Sequence, residues 1–389
     1  MKLVFVTLRY ATEGIVGGAE TLIRKLAVHS AAAGHEVHLL TSCARNHFTW
    51  ENERPAGTES AEGMTVHYFP VNTDRNLDRF LTLQGKIDRR QPLTRADEEE
   101  WAANSVRSRE LNQWLETHAS EFDAILVGPY LFGITLDVTH IAPERTWLIP
   151  CLHDEPFAEL SIVRDMFLRV KGRLFNAEPE RDLARRLYGL GDDNNPVVGM
   201  GMDPFEADSK AFAARHGLQH PYVLYCGRRE GGKNTPLLLH YLDAYRERNQ
   251  TPFHLVLTGS GEYEAPEALK PYILDLGFVS EQEKHEAMAG ASVFFHPSTN
   301  ESFGIVLFEA WLAGTPAMVH AKSEVLRWQC EQANAGLWFQ FYPECEAILD
   351  LLLQNPDLAR RLGENGRNHV KTLYTWDAVG RRLFDALTP

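Results

Sequence analysis

The chain has 389 residues, 44% of them hydrophobic and 24% charged, the ordinary balance of a soluble globular protein. This excludes disorder, collagen and a small disulfide-stapled scaffold, and the length suits two domains. With 39 Lys+Arg against 53 Asp+Glu the net charge is −14, which argues against a protein that coats nucleic acid or an anionic membrane. Residues 1–200 carry 22 basic and 29 acidic side chains and residues 201–389 carry 17 and 24. Neither half is a polyelectrolyte arm, so any phosphate binding must come from a few placed cations.

The apolar stretch Leu3 to Leu8 is cut off by Arg9. It is too short for a signal-peptide core and reads as a first buried strand, Leu3–Thr7. A helix over Gly18–Ala33, with Gly34 as its C-terminal cap, and a strand over Glu36–Thr41 follow. Met64–Phe69, Ala124–Val127 and Thr146–Ile149 are further strands. Between them Asn72–Ser120 is polar and helical in its later part, with Trp101, Leu111, Trp114 and Leu115 forming an apolar stripe. Ala177–Tyr188 reads as a helix and Pro196–Gly199 as a strand.

The pattern then restarts. Strands are expected at Tyr222–Cys226, Phe253–Leu257, Ser292–Phe295 and Pro316–Val319, and helices at Thr235–Arg248, Glu281–Ala289 and Gly304–Ala313. Alternating β and α elements imply parallel sheets covered on both faces. Two such series imply an α/β chain of two doubly wound domains facing each other across a cleft, with ligands at the carboxyl ends of the strands. No run approaches 18 apolar residues, so no spanning helix is expected. The five cysteines, Cys43, Cys151, Cys226, Cys330 and Cys345, are scattered and lack a CxxC pair. They read as reduced thiols of a cytoplasmic chain.

Three constellations carry chemistry. Gly17-Gly18-Ala19-Glu20 opens a helix after the first strand, where glycines let a backbone approach a phosphate. The order is not GxGxxG, so nothing supports a nicotinamide or flavin cofactor. Cys226-Gly227-Arg228-Arg229-Glu230-Gly231-Gly232-Lys233-Asn234 places cations on a glycine-containing loop after a strand, suited to a diphosphate; the competing reading is a solvated surface loop. The third runs from His296 to Ala310. A strand ends, a polar loop follows, and a helix begins near Phe303, so that the N–H groups of Phe303, Gly304 and Ile305 point toward a ligand. Glu301 and Glu309 stand about 10 Å apart at about 1.5 Å rise per residue, roughly the reach of a nucleotide diphosphate sugar. The competing reading has Glu301 as part of a cap and Glu309 on a solvated face. Against it, Glu309 lies in an otherwise apolar helix, where an unpaired acid is expensive.

These residues resemble the retaining GT-B glycosyltransferases, family four in particular, also called glycosyl transferases group 1. Two glutamates separated by seven residues are that family's hallmark, and Glu301 and Glu309 match it. Gly17 to Glu20 matches its first loop, and Gly227-Arg228 followed by Lys233 its phosphate clamp. Gly314-Thr315-Pro316 resembles its Gly-x-Pro turn, and Tyr374-Thr375-Trp376 the stretch before the C-terminal helix crosses back. The resemblance implies a GT-B architecture. It comprises an acceptor-side domain over 1–203, completed by a C-terminal helix 375–389, and a nucleotide-sugar domain over 204–374.

It further implies transfer of a sugar from a nucleotide diphosphate donor to an acceptor hydroxyl with retention. Catalysis would fall to His153, Glu301, Arg228 and Lys233. Donor binding would fall to Gly17, Gly18, Arg228, Lys233, Glu301, Phe303, Gly304, Ile305 and Glu309. Within that set, Glu309 holds ribose hydroxyls, Glu301 sugar hydroxyls, and Arg228 and Lys233 the diphosphate. His153 is the histidine near the reacting sugar, or else a cap of the following helix, while Asp154 and Glu155 favour that helix's N-terminus. No metal and no cofactor are implied, because the donor is itself a substrate and no Asp-x-Asp clamp is present. The partners are the donor and an unknown acceptor, with no nucleic acid.

Two alternatives stay open: a nucleotide-sugar 2-epimerase of the same fold, and a non-catalytic nucleotide-sugar-binding subunit. The sequence departs from the family at Asn234, where glycine is usual, and at Val319-His320-Ala321-Lys322-Ser323-Glu324, which lacks the common double glycine. Arg75–Arg95 carries six basic and two acidic residues. That excess suits an acidic acceptor, weak peripheral membrane contact, or a solvated helical face.

Overall fold

A computed structural model describes residues 1–11, 17–229, 231–249 and 251–388. The chain divides into two compact units, Met1–Met200 with Val379–Pro389, and Gly201–Ala378.

In the first unit the elements run β1 (Lys2–Val6), α1 (Gly18–Ala32), β2 (Glu36–Ser42), β3 (Gly57–Ala61), β4 (Met64–Phe69), α2 (Leu77–Asp88), α3 (Arg95–Ala103) and α4 (Arg109–His118). There follow β5 (Ala124–Val127), α5 (Gly133–Ile141), β6 (Thr146–Leu148), α6 (Ser161–Arg169), β7 (Gly172–Arg173) and α7 (Glu178–Tyr188). The seven strands lie in the order β3-β4-β2-β1-β5-β6-β7. All pairings are parallel except the β3–β4 hairpin at the edge. Central strands are apolar throughout, as parallel strands covered on both faces must be. Leu3, Val4, Phe5 and Val6 of β1 and Ile125, Leu126 and Val127 of β5 are fully buried.

The second unit comprises α8 (Ser209–His216), β8 (Tyr222–Cys226), α9 (Thr235–Arg248), β9 (His254–Thr258), β10 (Ile273–Asp275), α10 (Glu281–Gly290), β11 (Val293–His296) and α11 (Ile305–Ala313). It continues through β12 (Ala317–His320), α12 (Glu324–Ala333), β13 (Gly336–Phe339), α13 (Tyr342–Gln354) and α14 (Pro356–Leu373). A last helix, α15 (Trp376–Leu387), closes the chain. The order β10-β9-β8-β11-β12-β13 is wholly parallel. Chain order reverses between β8 and β11, so the loops after these two strands diverge and leave room for a ligand at their carboxyl ends. Those loops are Gly227–Asn234 and Pro297–Gly304.

Two sequence expectations change. Pro196–Gly199 is not a strand; only a bridge between Phe175 and Val197 forms there, because Pro196 cannot donate to a ladder. The third constellation's helix starts at Ile305, with Gly304 as its N-cap at φ +92. The strands β7 and β10 carry too few residues to show an apolar period, and β3 (Gly57–Ala61) is a polar, exposed edge strand that shows none. The basic excess of Arg75–Arg95 is matched locally. Arg79 pairs with Asp97 and Glu100, Arg90 with Glu159, and Arg95 with Glu99 and Asp165. No helix of the described residues is long and apolar enough to cross a membrane.

Helix α11 is held against α14 by backbone-close packing. A Cβ on Gly363 would stand 1.8 Å from the Gly314 carbonyl oxygen, and one on Gly366 would stand 2.5 Å from Trp311. Arg367 of α14 donates to the carbonyls of Leu312 (2.9 Å) and Ala313 (2.6 Å), closing the α11 C-terminus. Gly363→Ala should therefore destabilise by about 1–3 kcal/mol through overpacking, read as a lower urea midpoint. Gly191→Ala, whose Cβ meets nothing within 4 Å, should stay within about 0.5 kcal/mol of wild type.

Candidate functional site

Two buried carboxylates organise the carboxyl end of the second sheet. Glu301 lies in the loop after β11, its side chain 14% exposed. Lys233 Nζ donates to its Oε1 at 2.6 Å, and His296 Nε2 lies 3.3 Å from the same oxygen. Burial works against the charge on Glu301, but the His296 contact and the Lys233 ammonium overcome it and hold the carboxyl well below the usual carboxylate range. Glu309 lies one turn into α11. Burial pushes its carboxyl up, and Lys284 of α10, donating to its Oε1 at 3.1 Å, pulls the other way. Neither alternative role survives: Glu301 does not cap α11, and Glu309 is not on a solvated face.

The phosphate-clamp loop is built by backbone contact. Gly227 N–H donates to the Thr258 carbonyl at 3.0 Å and Arg229 N–H to the Ser260 carbonyl at 2.7 Å. Gly259, at φ +114, lies so close that a Cβ there would stand 2.1 Å from the Gly227 carbonyl oxygen. Arg229 is buried against Asp275 and the Gly261 carbonyl, over the Tyr263 ring. Its neighbour Arg228 is exposed, and Tyr225 Oη donates to the Arg228 carbonyl at 2.5 Å. Of the two arginines, Arg229 is thus a strut and Arg228 the one presented outward.

Asn234 explains its departure from glycine. It takes the left-handed conformation, φ +57, which asparagine tolerates better than most residues. Its side-chain amide donates to the Pro297 carbonyl at 3.2 Å, tying the clamp loop to the loop that carries Glu301. Phe303 is core: its ring stacks on Phe308 at 4.3 Å between centroids. Only its backbone remains for a ligand. The first N–H groups of α11 lack intrahelical partners by helix geometry and make a positive end.

In the first unit, Gly17 caps α1 and Gly18 begins it. Glu20 accepts from Gly17 N–H at 2.7 Å and is gripped by Arg9 at 2.7 and 2.6 Å. This buried pair fixes the helix end. Residues 12–16 and Glu230 of the quoted loops lie outside the described residues. His153 follows β6, on the same sheet edge as Gly17 because β1, β5 and β6 are parallel. Its Nδ1 is 3.8 Å from Glu155 Oε1, and Glu155 accepts from Tyr130 Oη at 2.5 Å. His153 does not cap the short helical turn Pro156–Glu159, whose N-cap is Glu155 without a side-chain bond. Buried Glu180 supports this loop by accepting from the N–H groups of Leu152 (2.6 Å) and Asn176 (2.5 Å). Burial pushes its carboxyl up to about 8.

The structure thus joins Lys233 to Glu301 and sets Arg228, Gly304, Ile305 and Glu309 on the same sheet edge. Sequence reasoning gave no role to His296 or Arg229, although both lie inside the quoted motifs, and missed Lys284, Asp275 and Glu180, which act through contacts distant in sequence.

Comparison with known proteins fits this arrangement. The model for glycosyl transferases group 1 matches residues 207–369. A D-inositol 3-phosphate glycosyltransferase of Streptomyces bingchenggensis is 31% identical over 318 residues, spanning 71% of this chain and 68% of that protein. Sucrose-phosphate synthase from Thermosynechococcus elongatus is similar in structure with a TM-score of 0.71 at 17% identity, over 99% of this chain and 97% of that one. Anabaena Alr3699/HepE in complex with UDP-glucose gives 0.68 at 17% identity, over 100% and 99%. The fold is GT-B. The chain belongs to the glycosyl transferases group 1 family and is a glycosyltransferase.

The depressed Glu301 carboxyl has a consequence for stability. A group whose folded pKa lies below its unfolded value of 4.5 stabilises fully above that value and loses its contribution as pH falls through the folded one. The difference in unfolding free energy between wild type and Glu301→Gln should be flat from about pH 8 to 5 and shrink by about pH 3. Urea titrations at each pH measure it.

Proposed function

We propose that the chain is a retaining glycosyltransferase that moves a sugar from a nucleoside diphosphate sugar to an acceptor hydroxyl, in glycan, glycolipid or natural-product glycoside synthesis. The observation that carries this reading is the Lys233–Glu301–His296 cluster at 2.6 and 3.3 Å, placed at the β8/β11 switch point beside the α11 N-terminus. Complexes of the structurally similar Anabaena Alr3699/HepE with UDP and with UDP-glucose support a nucleotide sugar as donor.

In this reading Glu309 accepts hydrogen bonds from the ribose hydroxyls and Glu301 from those of the donor sugar. Lys233 has three donors, so it can keep Glu301 and also take a phosphate oxygen. Arg228, Lys233 and the first N–H groups of α11 stabilise the charge that grows on the diphosphate as it leaves. That charge is larger in the transition state than in the bound donor, so these groups lower the barrier and do not merely tighten binding. The bond between the anomeric carbon and the phosphate oxygen breaks, and the acceptor oxygen bonds the same carbon on the same face. The acceptor proton passes to a phosphate oxygen of the leaving nucleoside diphosphate. The family resemblance assigns Gly17 and Gly18 to the phosphates and His153 to the reacting sugar. In this reading the protein's own cations carry the charge of the diphosphate, and the mechanism calls for no metal and no cofactor. The five free, buried cysteines fit a reducing, cytoplasmic setting.

A thermal-shift panel of UDP, GDP, ADP and their sugar conjugates tests binding, because a ligand that binds only the folded state raises Tm by mass action. One base should stand out. With that donor, Lys233→Ala and Glu301→Ala should each lower turnover by about 100-fold or more. Unchanged turnover in both would remove the assignment.

A further inference from the structure

Lys284 is a charged side chain for which the proposed reaction has as yet no use. It projects from α10 with its side chain only 15% exposed. An ammonium so placed is costly unless it is paired. Its Nζ donates to Glu281 Oε2 at 2.8 Å and to Glu309 Oε1 at 3.1 Å. Burial opposes its charge, but the Glu309 and Glu281 carboxylates more than offset that and hold its pKa above the ordinary lysine value.

The other Glu309 oxygen points to a ligand. Oε2 is buried and has no hydrogen-bond partner among the described residues. A buried carboxylate oxygen left in that state is costly, and such exceptions call for an explanation. The charged and titratable groups that face Glu309 are Lys284, Glu281 and His285 on α10 and Cys226 at the end of β8. Glu281, His285 and Glu309 bring ligand atoms within 4.8 Å of one another. The charge that joins the two carboxylates is the protein's own ammonium.

We propose that Lys284 is a positioning residue for the donor's ribose: it holds Glu309 Oε1 and leaves Oε2 to accept from the ribose diol. Glu281 in turn fixes Lys284. This rests on the reading of Glu309 as the ribose contact. Without the ammonium, burial and the Glu281 carboxylate push the Glu309 carboxyl up unopposed and favour its protonated form. A protonated carboxyl has lost acceptor capacity toward the two hydroxyls.

Calorimetric titration tests this with whichever of UDP, GDP and ADP binds wild type, and with the 2′,3′-dideoxy form of the same nucleotide. Wild type should prefer the ribonucleotide. In Lys284→Met the ribonucleotide should weaken by roughly tenfold or more, and the preference over the dideoxy form should collapse. Lys284→Arg should restore most of the preference. Glu281→Gln, a milder change that keeps the ammonium, should show an intermediate loss and serves should Lys284→Met fail to fold. Nucleotide binding with unchanged ribose preference in Lys284→Met, or in Glu281→Gln if only that variant folds, would overturn this inference alone. Failure of wild type to bind any nucleotide would overturn the functional reading and this inference with it.

Discussion

A buried carboxylate keeps its charge only if a cation is brought to it, and much of the second unit is arranged to do so twice. Glu301 and Glu309 flank the start of one apolar helix; His296 meets Glu301 from five residues away, but the ammonium that each carboxylate holds comes from far in the sequence. Lys233 reaches Glu301 from the loop after β8, 68 residues earlier. Lys284 reaches Glu309 from α10, 25 residues earlier. The first pairing depends on the strand order, because β8 and β11 must be neighbours for their loops to meet. The second depends on α10 lying against α11. The global charge of −14 has little bearing on either, since local cations, not net sign, set the potential at the strand ends.

The same site depends on backbones that touch. Gly259 lets the loop after β9 press on Gly227, and Gly363 lets α14 press on the end of α11. Arg229 and Arg367 add side-chain struts at the same two places. Close backbone contact fixes position more tightly than side chains alone, which keep rotamer freedom. This rigidity suits a site that must meet a growing negative charge without rearranging.

The sequence showed much of this and hid a definable part. Long apolar strands such as Tyr222–Cys226 and well-bounded helices such as Thr235–Arg248 could be located to the residue, because burial on both faces writes an uninterrupted run. Glu309 stood out as a single acid in an apolar helix, and Lys233 as a cation on a glycine loop. Lys284 did not, because a lysine on a charged helix looks like any solvated lysine until α10 is packed against α11. Glu180 was hidden for the same reason, since its partners are the main-chain N–H groups of Leu152, after β6, and Asn176, after β7. The two-residue β7 is too short to carry a period at all. The excess of Arg75–Arg95 was visible as composition, but its neutralisation by Asp97, Glu100, Glu159 and Asp165 is a tertiary fact.

The claim that distant cations hold the two carboxylates is tested most directly at the shorter pair. A double-mutant cycle of Lys233→Met and Glu301→Gln, read by urea unfolding at neutral pH, isolates their interaction from the cost of each substitution. The account predicts a coupling of about 1–3 kcal/mol, as for contacting groups in one network. Additivity within about 0.5 kcal/mol would contradict it.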